Sequence, residues 1–192
     1  MNKGRLEAFT DAVLAIAMTI LVLELAQPKA PTFAAVWELR QSYATYLISF
    51  VGLAVMWNNH HHIFQLVRVI DGRVLWANCM MLFFATLFPY ATKFVDTHFF
   101  DFVPELFYWV VFCMLSVGYF LVYATLAKAD PGNEKLRTAV VRPAKIIADF
   151  SVKGVGLIVG FFYPPAMIIG TFAAMFIWVI PERKAEKALK IR

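Results

Sequence analysis

Charge is what this sequence has little of. Asp, Glu, Lys and Arg make up 16% of its 192 residues, 61% are apolar, and mean hydropathy is +0.67. A soluble domain carries roughly 25% charged and about 45–50% apolar residues. A chain this short has too little interior to hide so much apolar surface. A soluble globular domain is therefore excluded, and so is a disordered chain. Cysteine is scarce as well: Cys79 and Cys113 both sit in apolar runs and read as small hydrophobes. Neither a disulfide framework nor a metal-type CxxC is present. The sequence lacks Gly-x-Ser-x-Gly, His-Glu-x-x-His and a Gly-rich phosphate loop, so it reads as no enzyme and implies no cofactor. Its net charge of +5 is not gathered on one basic face, which argues against nucleic acid as a partner. No helix repeats arginine as a voltage sensor does.

What remains is a chain whose solvent is the lipid bilayer. A membrane helix needs about 20 mostly apolar residues. Apolar runs over about 9–25, 43–59, 74–92 and 106–127 supply four spans. The last stretch contains Tyr163-Pro164-Pro165, which an unbroken helix tolerates poorly. It reads either as one kinked span or as two, over about 146–162 and 166–180. Positive charge decides, because cytoplasmic loops are enriched in Lys and Arg. With six spans and both termini inside, fourteen of the eighteen Lys and Arg fall on the cytoplasmic side, including Arg142 and the basic tail at 182–192. A five-span chain would put the cations of that tail outside. The expected fold is therefore all-α, a single polytopic domain over 1–192 with six transmembrane helices. Lys3 and Arg5 before the run Ala12–Leu23 imitate a signal peptide, but Asp11 and Glu24 bound the run and no A-x-A site follows. The segment reads as a retained first span.

Few polar groups lie inside these spans. Asp149 and Lys153 stand four apart with the acid first, the favourable order for pairing on a helix, and read as a neutralised pair. His60, His61 and His62 are consecutive, so a helix turns them about 100° apart and they cannot share one metal ion. Ser116-Val117-Gly118-Tyr119-Phe120 imitates a carbonyl selectivity filter but lacks the second glycine. It reads as ordinary helix. In the first span, spacings of three and four align Val13, Ile16, Ile20 and Leu23. Thr19 falls about 60° from Ile16 on the wheel and Asp11 about 140° away. The acid and the aliphatic stripe thus face different neighbours. Ala12, Ala15 and Ala17 permit close helix approach.

Arg5-x-x-x-Phe9-Thr10-Asp11 at the head of the first span resembles the Arg-x-x-x-Phe-Ser-Asp signature of the transmembrane protein 175 family of potassium channels, with Thr10 keeping the hydroxyl. Trp57-Asn58-Asn59-His60-His61-His62-Ile63-Phe64, Leu75-Trp76-Ala77-Asn78 and Leu87-Phe88-Pro89 are similar to the family's later motifs. The likeness is specific over residues 5–92 and only architectural beyond. It implies a polar network in which Arg5, Thr10 and Asp11 meet Trp57, His60 or His61, and Asn78. It also implies a homotetramer whose pore is lined by the first helices, with Ile16, Ile20 and Leu23 as the constriction and Thr19 as a polar layer beside it. The expected function is passive, potassium-preferring cation conduction, K+ being the permeant ion and no resident metal being required. The short single-repeat form points to a prokaryotic inner membrane. Three other readings stay open: a proton-conducting channel, a proton-coupled small-solute transporter using Asp149, Lys153 and the histidines, and a non-conducting membrane scaffold.

Overall fold

A computed structural model describes residues 2–139 and 143–179. Arg142, Ile180 and the basic tail at 182–192 lie outside the described residues. The described residues form α-helices joined by short turns, with no strand among them. This is what lipid demands, since a helix satisfies its own backbone N–H and C=O groups.

The first helix, α1 (Lys3–Leu23), begins six residues ahead of the apolar run. A short α2 (Phe33–Glu38), capped by the Thr32 hydroxyl, leads into α3 (Arg40–Leu66). This second long helix continues past residue 59 through all three histidines. The third apolar run is a bent rod, α4 (Gly72–Thr86) followed by α5 (Phe88–Thr97). It breaks at Leu87 because Pro89 has no N–H to continue the ladder and sits in the first turn of α5. Then come α6 (Phe102–Ala129), a one-turn α7 (Glu134–Ala139), α8 (Pro143–Gly160) and α9 (Ala166–Val179). By length and composition α1, the α4–α5 rod and α6 can each cross a membrane, and α9 is a shorter apolar helix.

Two close approaches set the packing. A Cβ added at Gly118 would lie 2.8 Å from the Met81 Cα, so α6 rests directly on the backbone of α4. That is the use this chain makes of its filter-like segment: Gly118 lies in mid-helix. In the α8–α9 hairpin, a Cβ at Gly156 would lie 3.1 Å from the Gly170 Cα. Glu105 of α6 reaches across to α9, where its carboxylate accepts the Ile168 N–H at 3.2 Å and so caps the helix restarted after the Pro-Pro break. Apolar side chains such as Phe64, Met81, Phe88 and Leu126 fill the space between the rods.

Candidate functional site

Helix α1 has two faces of different chemistry. Leu6, Thr10, Leu14, Ala17 and Leu21 recur at spacings of three and four and are buried against α3, α4 and α5. On the opposite face Ile16 is 59% exposed, Ile20 37% and Leu23 79%. Val13, expected on the same stripe, is half-buried and packs against the core. Thr19 is exposed beside them, and its hydroxyl donates to the Ile16 carbonyl at 2.8 Å. The hydroxyl proton is thereby engaged, and the oxygen still offers a lone pair outward.

Two polar groups near the head of α1, Thr10 and Asp11, fasten it. Asn78 Nδ2 donates to Thr10 Oγ1 at 2.9 Å, and Thr10 Oγ1 donates in turn to the Leu6 carbonyl at 2.9 Å. Asn78 Oδ1 lies 3.0 Å from His60 Nε2. Thr10 gives its proton to Leu6 and so accepts from the Asn78 amide nitrogen; this turns the Asn78 oxygen, which can only accept, toward His60, whose Nε2 therefore donates. Three helices are thus joined by one directed chain: His60 of α3, Asn78 of α4, Thr10 of α1. All three side chains are buried, so each would cost free energy if left unpaired. One turn along, Trp57 Nε1 donates to Asp11 Oδ1 at 2.8 Å, and His61 stacks on the Trp57 ring at 5.6 Å between centroids.

Of the residues the sequence marks, then, Thr10, Asp11, Trp57, His60, His61 and Asn78 come together. Arg5 and Phe9 are exposed and take part in none of these hydrogen bonds. The three histidines part company as their spacing requires: His60 faces Asn78, His61 faces Trp57, and His62 Nδ1 meets the Asn58 carbonyl at 2.7 Å. Among the described residues no cluster of His, Cys, Asp or Glu could hold a metal ion.

Other fastenings escape sequence reasoning. Lys3 Nζ donates to the Phe64 and Val67 carbonyls at 2.6 and 3.3 Å, and Lys93 Nζ donates to the Glu24 carbonyl at 2.7 Å. Both are lysines on helix-terminal carbonyls, where a cation suits the end of the helix dipole, but nothing in their sequence spacing marks the pairing. Glu105, an acid in the first turn of α6, is 0% exposed and turned to Ile168. Asp149 and Lys153 pair at 2.6 Å, each side chain 1% exposed. Lys153 also donates to Ser116 Oγ at 2.7 Å, and Asp149 Oδ1 accepts from Trp178 Nε1 at 3.0 Å. The pair therefore ties α8 to both α6 and α9. A cavity of about 50 Å³ adjoins it, lined by Asn59, Ser116 and Asp149 among apolar side chains.

Residues 5–89 match the model of a family described as endosomal/lysosomal potassium channel TMEM175. Over 190 residues the chain is 36% identical to a protein named a potassium channel in Chryseobacterium sp. (strain P1-3), covering 99% of both chains. The chain belongs to the TMEM175 family. TMEM175 proteins are ion channels rather than enzymes, so this chain is an integral membrane protein of a cation-channel family. A crystal structure of a lysosomal potassium-selective channel TMEM175 homologue from Chamaesiphon minutus superposes with a TM-score of 0.69 at 25% identity, over 97% of each chain. A Danio rerio protein named endosomal/lysosomal proton channel TMEM175 is 32% identical over 106 residues, which span 50% of this chain and 19% of that one. The directed chain His60–Asn78–Thr10 lies wholly inside the segment that the family model matches.

Proposed function

We propose that this chain is a passive, potassium-preferring cation channel in which four copies of α1 surround a common axis. The observation that carries the reading is the division of α1. Thr10 and Asp11 are spent on α4 and α3, while Ile16, Ile20 and Leu23 are exposed in a row with the Thr19 hydroxyl beside them. A ring of four branched side chains at Ile16 makes a narrow apolar constriction, with Ile20 and Leu23 extending it outward. Water leaves such a ring easily, and an ion that enters must shed hydration. Tight, the ring is a gate; wider, it favours the cation that dehydrates more readily, K+ over Na+. Thr19 oxygens offset part of the lost hydration.

The chain crosses the membrane six times, with α1, α3, the α4–α5 rod, α6, α8 and α9 as the crossings. Both termini lie in the cytoplasm, as the distribution of Lys and Arg favours, and the membrane is a prokaryotic inner membrane. The Glu24 end of α1 is then the outer one. Reversal potentials in mixed K+ and Na+, measured on purified protein in planar bilayers, test this directly. They should lie towards the K+ equilibrium potential, and Ile16→Asn should raise the flux by admitting water to the ring. An absent current, or a current indifferent to Ile16→Asn, contradicts it. Proton conduction through the same ring is the second reading, favoured by the likeness to proteins named proton channels. It predicts a reversal potential that follows the pH gradient.

A further inference from the structure

The outer end of α1 is held by a contact outside the family-like motifs. From Ala12 to Leu23 the buried residues of α1 are Leu14, Ala17 and Leu21, so this stretch is held by apolar contact alone. The next polar anchor is at the C-cap, Glu24, whose carbonyl accepts from Lys93 Nζ at 2.7 Å. Lys93 stands on α5, the outer piece of the bent rod, whose direction is set by the break at Leu87. That piece is itself fixed. Thr92 Oγ1 donates to Ser49 Oγ at 2.7 Å, Ser49 Oγ lies 3.1 Å from the Tyr108 hydroxyl, and Gln41 Nε2 donates to the Asp96 carbonyl at 3.3 Å. The ammonium is thus carried on a platform tied to α3 and α6. It spends its bond on the peptide carbonyl of Glu24, and the Glu24 carboxylate stays exposed.

We propose that Lys93 is a positioning residue for conduction: by gripping the Glu24 carbonyl it holds the last turn of α1 in place, and so sets how closely Ile20 and Leu23 of neighbouring copies approach. The last carbonyls of a helix lack an intrahelical partner, and a water in place of Lys93 would satisfy the Glu24 carbonyl without tying it to α5. Released from Lys93, the turn carrying Ile20 and Leu23 splays and the outer rings widen, which leaves the Ile16 ring to sort the ions alone. This rests on the proposed axial placement of α1, which fixes what a displacement of that turn does.

The test uses the full chain in planar bilayers, with Cys79→Ser removing the exposed native thiol; Cys113 is buried. In that parent, Lys93→Cys should lower the K+ to Na+ permeability ratio by about twofold or more. Treatment with 2-bromoethylamine, in which the thiolate displaces bromide, rebuilds an amine of lysine's length and should return the ratio to the parent's. Lys93→Arg should keep the parent ratio, and Lys93→Gln, whose amide falls short of the carbonyl, should lose it. The Arg and Gln pair decides the matter if Lys93→Cys does not assemble. An unchanged ratio in Lys93→Cys and Lys93→Gln, or a fall that aminoethylation and Lys93→Arg fail to repair, overturns the proposal. A parent that carries no K+ current overturns the channel reading along with it. A parent that conducts and responds to Ile16→Asn, yet ignores Lys93, overturns the role of Lys93 alone.

Discussion

Asn78 shows how one side chain can determine where a helix stands. Its amide donates to Thr10 and its carbonyl accepts from His60, so both partners depend on it. Asn78→Ala leaves the His60 Nε2–H unmatched while Thr10 keeps its bond to the Leu6 carbonyl, and should cost about 1–3 kcal/mol. A lowered melting temperature of the detergent-solubilised protein reads this out, and Thr10→Ser, which keeps the hydroxyl, should be far milder than Thr10→Val. A second residue-scale prediction concerns the buried pair. Lys153→Met alone strands the Asp149 charge and should cost roughly 3–5 kcal/mol, whereas Asp149→Leu combined with Lys153→Met should recover most of that loss. Thermal unfolding of the two single variants and the double variant gives the coupling. The i, i+4 spacing made the pair legible in the sequence. Ser116 and Trp178 were not legible as its partners, because they come from helices tens of residues away and nothing local marks them.

At the scale of elements, hydropathy located the rods better than their ends. The apolar run proposed for the first span began at residue 9, but α1 begins at Lys3, and α3 runs seven residues beyond 59. Polar residues such as Glu7 or His61 interrupt an apolar run without interrupting a helix, since helix propensity differs little among them. The bend at Leu87 follows from Pro89, which the sequence displayed; the direction in which α5 departs depends on Ser49, Thr92 and Tyr108 and was not readable. Gly118 supplies a prediction here. Gly118→Leu would drive a side chain into the Met81 backbone and push α4 from α6, costing about 1–3 kcal/mol or more by overpacking, again read by thermal unfolding. The start of α4 has a pH dependence. Asp71 accepts the Val74 N–H at 3.1 Å and pairs with Arg73 at 2.8 Å. The Val74 N–H first, and Arg73 after it, hold its carboxyl below the ordinary 3.8. A depressed folded-state pKa means that the contribution is complete above that ordinary value and is lost as pH falls through the lowered one. Asp71→Asn should flatten the dependence of melting temperature on pH in that acid window.

For the whole molecule, the chain separates what it buries from what it offers. Thr10 and Asp11 of α1 are bonded within the chain, and Ile16, Ile20 and Leu23 are left exposed on its other side. Periodicity placed Ile16, Ile20 and Leu23 on one stripe, and the family likeness assigned that stripe to a pore. The axis itself is a property of several chains and cannot be read from the pattern of one. In the proposed tetramer, four copies of Lys93, each gripping its own α1 and standing near an exposed Glu24, would surround the outer mouth. The most direct measurement is silver-ion block of single cysteines along α1, in the Cys79→Ser background, with K+ current as the readout. Currents through Ile16→Cys, Ile20→Cys and Leu23→Cys should fall on exposure to silver ions, while Leu14→Cys and Leu21→Cys should be indifferent. Silver-insensitive currents through Ile16→Cys and Leu23→Cys would place that face away from the ions and contradict the account.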